Sequence, residues 1–269
     1  MKFNFLSRFV FVLGLSVSLA ACNMPPEDPE ARAEYYEIND PFEPINRAIF
    51  ELNRGLDTVL FKPLAKAYLF LPEDGRDIIH NMINNIKTPV TLGNDIFQLE
   101  RERIGNTLGR FLINTTLGIG GMFDVATHLG LPYHEEDFGQ TLAVWGSPSG
   151  PYLVLPIFGP SNPRDLAGSI VDTYMDPLGY LFSSDEDRMF SEYTLIRSAV
   201  QGIDERSRVM DVLDKLEENS IDFYATIRSL NRQRRAEEIS NGTANKNVPG
   251  PSFMTENEDG TSNRASLTE

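Results

Sequence analysis

The chain has 269 residues, a formal net charge of −15, 41% apolar residues and one cysteine. This composition supports a packed core, and a single cysteine excludes an internal disulfide framework and a cysteine-rich metal site. The acid excess disfavours binding to nucleic acid and electrostatic docking to anionic lipid, because both depend on clustered lysine and arginine. Contact with a membrane would therefore need apolar surface or a covalent anchor.

Residues 1–21 have the pattern of a secretory signal peptide. Two basic residues precede the apolar run Phe9–Ala21, whose 13 residues are too few to span a bilayer as a helix. The run leads into Leu19-Ala20-Ala21-Cys22, which resembles the lipobox of bacterial lipoproteins. We expect cleavage before Cys22 and acylation of that cysteine, with an ordinary signal peptide as the alternative. Asn23, rather than Asp, resembles the sorting signal for the outer membrane.

Acidic and polar segments flank the predicted body. Residues 22–38 contain five acidic side chains and a Pro-Pro pair, which predicts a flexible tether behind the anchor. Residues 240–269 contain few large apolar side chains to offset the entropy of ordering, which predicts a disordered acidic tail. The folded domain is therefore expected over residues 39–239.

Within this domain the apolar residues recur mostly at helical spacing. The predicted helices run from Ile45 to just before Pro63, from a cap at Asp74 to a boundary at Pro89, from Ile104 to Gly118, from Pro163 to about Met175 with Asn162 as cap, from about Asp187 to Asn219, and from Asp222 to about Glu238. The range Tyr152–Phe158 is the one extended candidate, and Pro156 restricts it to an edge. The predicted fold class is all-α.

Two central stretches lack any Asp, Glu, Lys, Arg or His. They cover residues 111–123 and residues 138–163, and the second contains five prolines, so it is not a transmembrane helix. Such uncharged, broken segments fit the core of a soluble helical domain. They equally fit membrane depth, where irregular backbone is tolerated against protein or a water-filled cavity. The residues alone leave both interpretations open.

No pattern in the chain predicts a reaction. Gly118–Gly121 lacks the Lys-Ser/Thr of a phosphate-binding loop, and Gly146–Gly150 has proline where a nucleophile elbow needs serine. His134 with Glu135–Asp137 offers donors for a cation, although a solvated acidic turn is the simpler interpretation. We therefore predict no enzyme activity, no metal and no cofactor. Four arginines near the end of the last helix either complement its dipole or dock an acidic partner; they are Arg228, Arg232, Arg234 and Arg235.

Several motifs in order resemble the MlaA (VacJ) family of outer-membrane lipoproteins. They are Asn39-Asp40-Pro41-Phe42-Glu43 with Asn46-Arg47; Phe111–Thr115, Leu117–Gly121 and Asp124–Ala126; Phe138–Leu142, Gly150–Tyr152, Leu155-Pro156, Gly159–Ser161 and Arg164-Asp165; and Ser220, Asp222, Tyr224 and Arg228. The resemblance extends from the lipobox to about Arg235 and leaves the tail outside it.

The resemblance implies a helical ring in or on the outer membrane, beside a trimeric porin and around an amphipathic channel. It implies that phospholipid misplaced in the outer leaflet is removed and passed to a soluble periplasmic carrier, which maintains lipid asymmetry. The chain would be lipid-anchored and periplasm-facing in a Gram-negative bacterium. There are two alternatives: a lipoprotein that only braces a porin, and an anchored lipid hydrolase. The residues disfavour the hydrolase, because no nucleophile–base pair can be named.

A phospholipid channel needs a polar path for the headgroup and an apolar path for the acyl chains. This requirement predicts which residues line it. Asn and Thr interleaved with Leu and Ile provide both surfaces, which makes Asn114 and Thr115 candidates. The neighbouring Gly118, Gly120 and Gly121 are candidates for a gate or hinge. Asn53 is a further candidate, against the simpler interpretation of an exposed helical asparagine.

Overall fold

The structure is a computed structural model, and it describes residues 38–182 and 191–241 together with Asp28. Cys22, the predicted signal peptide and nearly all of the predicted tether and tail lie outside the described residues. The described chain is mostly helical with two short strands, which confirms the all-α prediction.

The elements follow one another in a helical chain with one hairpin. They are α1 Glu43–Leu56, a π-helical turn Asp57–Phe61, α2 Lys62–Tyr68, α3 Glu73–Gln98, α4 Arg101–Thr116, α5 Val125–His128, α6 Phe138–Val144, β1 Leu153–Leu155, β2 Gly159–Ser161, α7 Pro163–Met175, α8 Pro177–Phe182, α9 Glu192–Arg208, α10 Met210–Asn219 and α11 Phe223–Ile239.

Side-chain caps fix two helix starts where the sequence predicted them. The side chain of Asn162 accepts a hydrogen bond from the backbone N–H of Asp165 and begins α7 at Pro163. Asp222 does the same for α11 by accepting from the N–H of Ala225. In both cases a short polar side chain satisfies a donor that the first helical turn leaves unpaired.

The predicted boundaries at Pro63 and Pro89 are wrong. The helix continues through Pro63, because the π-helical turn before it widens the spiral and relieves the clash between the proline ring and the preceding turn. Pro89 lies inside the 26-residue helix α3. Asp74 lies in the first turn of α3 rather than at its cap, which is Pro72.

The long helix predicted from about Asp187 to Asn219 is also corrected. The described part begins at Glu192, where Ser191 caps α9 by accepting from the N–H of Thr194. The chain then breaks at Val209, which separates α9 from α10. The predicted end at Asn219 is confirmed.

The extended candidate forms one strand of a hairpin. β1 pairs antiparallel with β2, with Leu153 opposite Ser161 and Leu155 opposite Gly159. The hairpin packs on α1, and α11 returns to the same place. We call α1, the hairpin and α11 the terminal clasp. Its apolar core consists of Phe50, Tyr152, Val154 and Tyr224.

A buried carboxylate ties the two ends of the domain together in this clasp. Asp40, which is 2% exposed, accepts hydrogen bonds from Asn46 Nδ2 at 2.8 Å, Tyr224 Oη at 2.5 Å and Arg228 Nη1 at 2.7 Å. Arg47 on α1 adds a two-point pair with Asp222, the cap of α11.

Over the described residues as a whole, most buried side chains are polar and many large apolar side chains are exposed. Among the described residues, buried polar or charged side chains outnumber buried apolar ones by two to one. Large apolar side chains lie outside, including Phe70 at 89%, Leu99 at 80% and Leu117 at 66% exposure. Within the described part of the chain, no helix is long and apolar enough to span a bilayer.

Candidate functional site

One face of α3 carries a stripe of uncharged polar side chains, which we call the asparagine stripe. Its members recur at intervals of three and four residues, so they lie on one side of the helix; they are Asn81, Asn84, Asn85, Thr88 and Thr91. The apolar residues of α3, such as Ile83 and Ile86, alternate with them. The same helix therefore presents both polar and apolar groups.

The asparagine stripe borders a polar cavity. The remaining lining comes from α4 and from the segment after residue 123; it consists of Thr107, Arg110, Asn114, Asp124, Tyr133 and His134. The cavity of about 30 Å³ has room for roughly two water molecules. Its lining is mostly polar, yet in this arrangement the cavity is too small to hold a phospholipid headgroup.

Arg110 is fully engaged at one side of this cavity. Both carboxylate oxygens of Asp124 accept from Arg110 Nη2 at 2.9 Å, and Nη1 donates to Thr127 Oγ1 and the carbonyl of Leu131. Burial alone would raise the pKa of Asp124, but hydrogen bonds from Thr127, Arg110 and Asn114 outweigh it and lower the pKa to about 2. The guanidinium charge is thus neutralised within the protein.

Asn114 connects the end of α4 to the residues that follow the loop 117–123. Its Nδ2 donates to Asp124 at 3.0 Å, and its Oδ1 accepts from the backbone N–H of Ala126 at 2.9 Å. The side chain is 8% exposed. Asn114 therefore holds α4 to the start of α5 and borders the cavity at the same time.

The segment Leu117–Phe123, which we call the glycine loop, lies against the asparagine stripe. Three consecutive residues have left-handed backbone conformations, with φ of 54° at Ile119, 70° at Gly120 and 89° at Gly121. A Cβ atom at Gly121 would lie 2.4 Å from the Cβ of Asn85. Glycine is therefore required there both by φ and by this contact.

Thr115 and the stripe also meet at this loop. Asn85 Nδ2 donates to Thr115 Oγ1 at 3.1 Å, and Asn81 Nδ2 donates to the carbonyl of Met122 at 3.4 Å. At Gly118 a Cβ would come within 2.3 Å of the carbonyl oxygen of Phe123, so Gly118 closes the base of the loop. The loop's outer surface is apolar, with Leu117 and Ile119 more than half exposed.

The structure thus brings together five of the candidate residues and separates a sixth. Asn114, Thr115, Gly118, Gly120 and Gly121 lie at one end of the cavity or in the loop beside it. Asn53 lies instead in the terminal clasp. Its Nδ2 donates to the carbonyl of Leu155 at 2.9 Å, and its Oδ1 accepts from the N–H of Ile157 at 2.8 Å.

The acidic run after His134 has partners within the protein. Glu135 pairs with Lys87, and Glu136 pairs with Arg103. Asp137 caps α6 by accepting from the N–H of Gln140. No group of three metal-binding side chains occurs within residues 38–182 and 191–241.

The arginines of α11 are divided between packing and solvent. Arg228 pairs with Asp40, and Arg235 pairs with both Asp137 at 2.6 Å and Asp165 at 2.8 Å. Arg234, whose side chain is 74% exposed, pairs with Glu238 on its own helix. Arg228 and Arg235 therefore stabilise the fold, and they are not free to dock an acidic partner.

Sequence reasoning missed the asparagine stripe. The signal was present, because Asn and Thr recur at helical spacing between residues 81 and 91. The prediction used only the apolar residues of this helix, which lie on the opposite face. The wrong boundary at Pro89 also separated Thr91 from the rest of the stripe.

The comparisons with known proteins identify what the chain is similar to. The family model described as "MlaA lipoprotein" matches residues 38–238. An uncharacterised protein of Rickettsia prowazekii is 42% identical over 203 residues, which cover 74% of this chain and 78% of the relative.

Two further similarities carry functional names. The intermembrane phospholipid transport system lipoprotein MlaA of Escherichia coli is 28% identical over 246 residues, which cover 90% of this chain and 92% of the relative. The protein of the same name from Haemophilus influenzae is 29% identical over 212 residues, covering 77% and 81%. A solved structure described as the structural basis for maintenance of bacterial outer membrane lipid asymmetry matches with a TM-score of 0.66 and 31% identity, covering 74% of this chain and 98% of the solved one.

Proposed function

The chain belongs to the MlaA lipoprotein family, and from that premise we propose that it removes misplaced phospholipid from the outer leaflet of the outer membrane. In this proposal acylated Cys22 anchors the chain. The helices form a ring in the membrane beside a trimeric porin, and phospholipid leaves to a soluble periplasmic carrier. Relatives that are themselves intermembrane phospholipid transport lipoproteins support this role.

The inverted distribution of side chains is the observation that carries the proposal. A polar interior with apolar groups outside is the arrangement expected of a domain surrounded by hydrocarbon. Phospholipid transfer needs both surfaces in one molecule, because the headgroup must avoid the bilayer core and the acyl chains must avoid water.

The asparagine stripe is the proposed path for the headgroup. Amide and hydroxyl groups can donate to phosphate oxygens and accept from headgroup donors without binding either tightly. Arg110 is already held by Asp124, so no free cation traps the phosphate at this position. A transient polar path suits transfer better than a strong binding site.

The glycine loop is the proposed gate. The cavity has room for only about two water molecules, so a headgroup can enter only after the loop or a neighbouring helix moves. Gly120 and Gly121 permit left-handed backbone that other residues disfavour. Asn81 donates to the carbonyl of Met122 in the loop, and the backbone N–H groups of Gly120 and Gly121 donate to the carbonyls of Thr115 and Asn114, so movement of the loop breaks this small set of bonds at the end of α4.

The experiment measures outer-leaflet phospholipid in a deletion strain that expresses variants of the full chain. We expect wild type to clear the phospholipid and Gly121→Val to let it accumulate, because valine collides with Asn85 and disfavours φ of 89°. Gly105→Ala is the matched control, since a Cβ there meets nothing within 4 Å.

The outcomes separate the candidate functions. Accumulation with Gly121→Val, at normal abundance in the outer membrane, supports a transporter with a gate at this loop. Lyso-phospholipid that depends on the protein would instead indicate a hydrolase. Unchanged outer-leaflet phospholipid in the deletion strain itself would leave only a porin-bracing role and refute transport.

A further inference from the structure

The tip of the β1–β2 hairpin exposes two apolar side chains in a fixed conformation. Ile157 is 62% exposed and Phe158 is 79% exposed. Ile157 has φ of 71°, a left-handed conformation that a β-branched residue rarely adopts. A strained backbone that displays apolar residues to the outside is not explained by packing of the fold.

An amide clamp holds this strained turn in place. Asn53 accepts from the N–H of Ile157 and donates to the carbonyl of Leu155, so its side chain binds the backbone on both sides of Pro156. Two helical turns earlier, Asn46 accepts from the N–H of Val154. Strain persists only where surrounding contacts over-determine the backbone, and such sites are often functional.

We propose that Ile157 and Phe158 form a wedge that inserts into the lipid bilayer, as a membrane contact separate from the acyl chains on Cys22. The wedge rests on the proposed function only in that this function places the domain at the outer membrane. It assigns a role to Asn53 as well, because Asn53 positions the wedge and does not line the polar cavity.

Lipid fits this tip better than a protein partner does. The tip lies within the stretch of residues 138–163, which carries no Asp, Glu, Lys, Arg or His, so this segment itself brings no charge that lipid would have to desolvate. Pro160 removes a backbone donor from β2, which disfavours addition of a partner strand. Large apolar side chains are also exposed on several of the helices.

Charges on α1 limit how deeply the wedge reaches. Arg54, next to Asn53 in the sequence, pairs with Glu51 and with Glu217 of α10 in an exposed network. Charged groups stay at the headgroup level because their transfer into hydrocarbon is costly. We therefore expect shallow insertion, with Phe158 just below the headgroups.

The test places a fluorophore at the tip. Cys22 is the chain's only cysteine and carries acyl groups in the proposed mature form, so Phe158→Cys provides a single free thiol in the full chain. The labelled lipoprotein is reconstituted in vesicles of phosphatidylethanolamine and phosphatidylglycerol that contain brominated lipid. We expect strong quenching by bromine near the headgroup and weaker quenching by bromine near the bilayer centre.

Two further variants sharpen the result. A label at Ser229→Cys, an exposed site beside Arg228 on α11, is expected to escape quenching. Ile157→Asn, introduced into the labelled Phe158→Cys chain, keeps a residue that tolerates left-handed backbone and removes the apolar group. It is expected to reduce quenching several-fold while leaving the thermal midpoint unchanged or higher.

The outcomes decide the wedge independently of transport. A Phe158→Cys label that no bromine quenches overturns the wedge, and so does quenching that Ile157→Asn leaves unchanged. If outer-leaflet phospholipid is still cleared in those cases, the proposed function stands. Quenching at the tip without any clearance of phospholipid by the wild-type chain would support the wedge and refute transport.

Discussion

The terminal clasp and the block formed by α3, α4, α6 and α7 differ in what they bury. The clasp packs aromatic rings inside, and the ring centroids of Phe50 and Tyr224 are 5.4 Å apart. Ion pairs surround these rings. The block buries amides, hydroxyls and charges and leaves many of its large apolar side chains outside. The clasp therefore has an aromatic core, whereas the block has a largely polar one.

This difference teaches how stability is maintained without a large apolar core. In the block, Asn94 is fully buried and donates to Asp172 at 2.9 Å while accepting from Thr141 at 2.9 Å. Such a network stabilises only when each member has a partner, because an unpaired buried polar group is costly. Hydrogen bonding therefore replaces apolar packing there.

The largest effect is expected from Asp40→Ala in the clasp. The substitution leaves Arg228, Tyr224 and Asn46 without their shared buried acceptor, and we expect a loss of about 4 kcal/mol in the free energy of unfolding. Urea unfolding of the full chain in detergent measures it. Glu51→Ala, which removes an exposed ion pair, is the control and should cost less than about 1 kcal/mol. Equal losses would show that the clasp does not depend on Asp40.

A close helix crossing in the block predicts the next effect. A Cβ at Gly168 would lie 2.3 Å from the backbone nitrogen of Gly139, so Gly168→Ala must separate α6 from α7. We expect a loss of about 3 kcal/mol in the same measurement. Gly105→Ala has free space and should instead gain up to about 1 kcal/mol. A neutral Gly168→Ala would contradict the close packing of this block.

A pH dependence should follow from Asp172. Burial raises the pKa of Asp172 to about 6, against hydrogen bonds from the N–H of Phe138 and from Asn94. The folded state therefore holds the proton more tightly than the unfolded chain does. This contribution is fully present below the ordinary aspartate pKa and is lost as the pH rises through 6.

The expected size is about 2 kcal/mol between roughly pH 4 and pH 7. Burial also raises the pKa of Glu136, which acts in the same direction. Asp172→Asn should reduce the slope of unfolding free energy against pH. Asp222→Asn is the control, because its hydrogen bond to Arg47 keeps the pKa of Asp222 at about 2, below this range. A slope that Asp172→Asn leaves unchanged would exclude this assignment.

The smallest effect distinguishes two roles for Asn53. As part of the clasp, Asn53→Ala should cost about 1 kcal/mol, because water reaches this half-buried site. Hydrogen exchange at the N–H of Ile157 should become faster. If Asn53 instead lined the lipid path, outer-leaflet phospholipid would change while that exchange rate stayed constant.

Local signals in the sequence predicted much of the secondary structure. Asn162 with Pro163, and Asp222, carry their capping chemistry within four residues, so α7 and α11 begin where expected. Pro63 and Pro89 misled the prediction, because a proline's local preference is overridden when neighbouring turns adjust or tertiary contacts hold the helix.

Part of the candidate site could be predicted because its residues are neighbours in the sequence. Asn114, Thr115 and the glycines lie within one short segment, and their proximity is a property of the sequence. The asparagine stripe belongs to the same site but comes from α3, about 30 residues earlier. Asn53 was drawn from a helix that packs elsewhere, and its partners Leu155 and Ile157 are 102 and 104 residues away.

By itself the sequence determined the helical class, the cap at Asn162, the family resemblance and the two charge-free stretches, because each depends on neighbouring residues or on order along the chain. The open choice between a soluble core and membrane depth was not decided by those patterns. Only the tertiary structure shows which face of each helix is buried, since periodicity gives two faces without saying which one points inward. In this chain the polar face is the inner one over much of the domain, and contacts between distant residues hold it there.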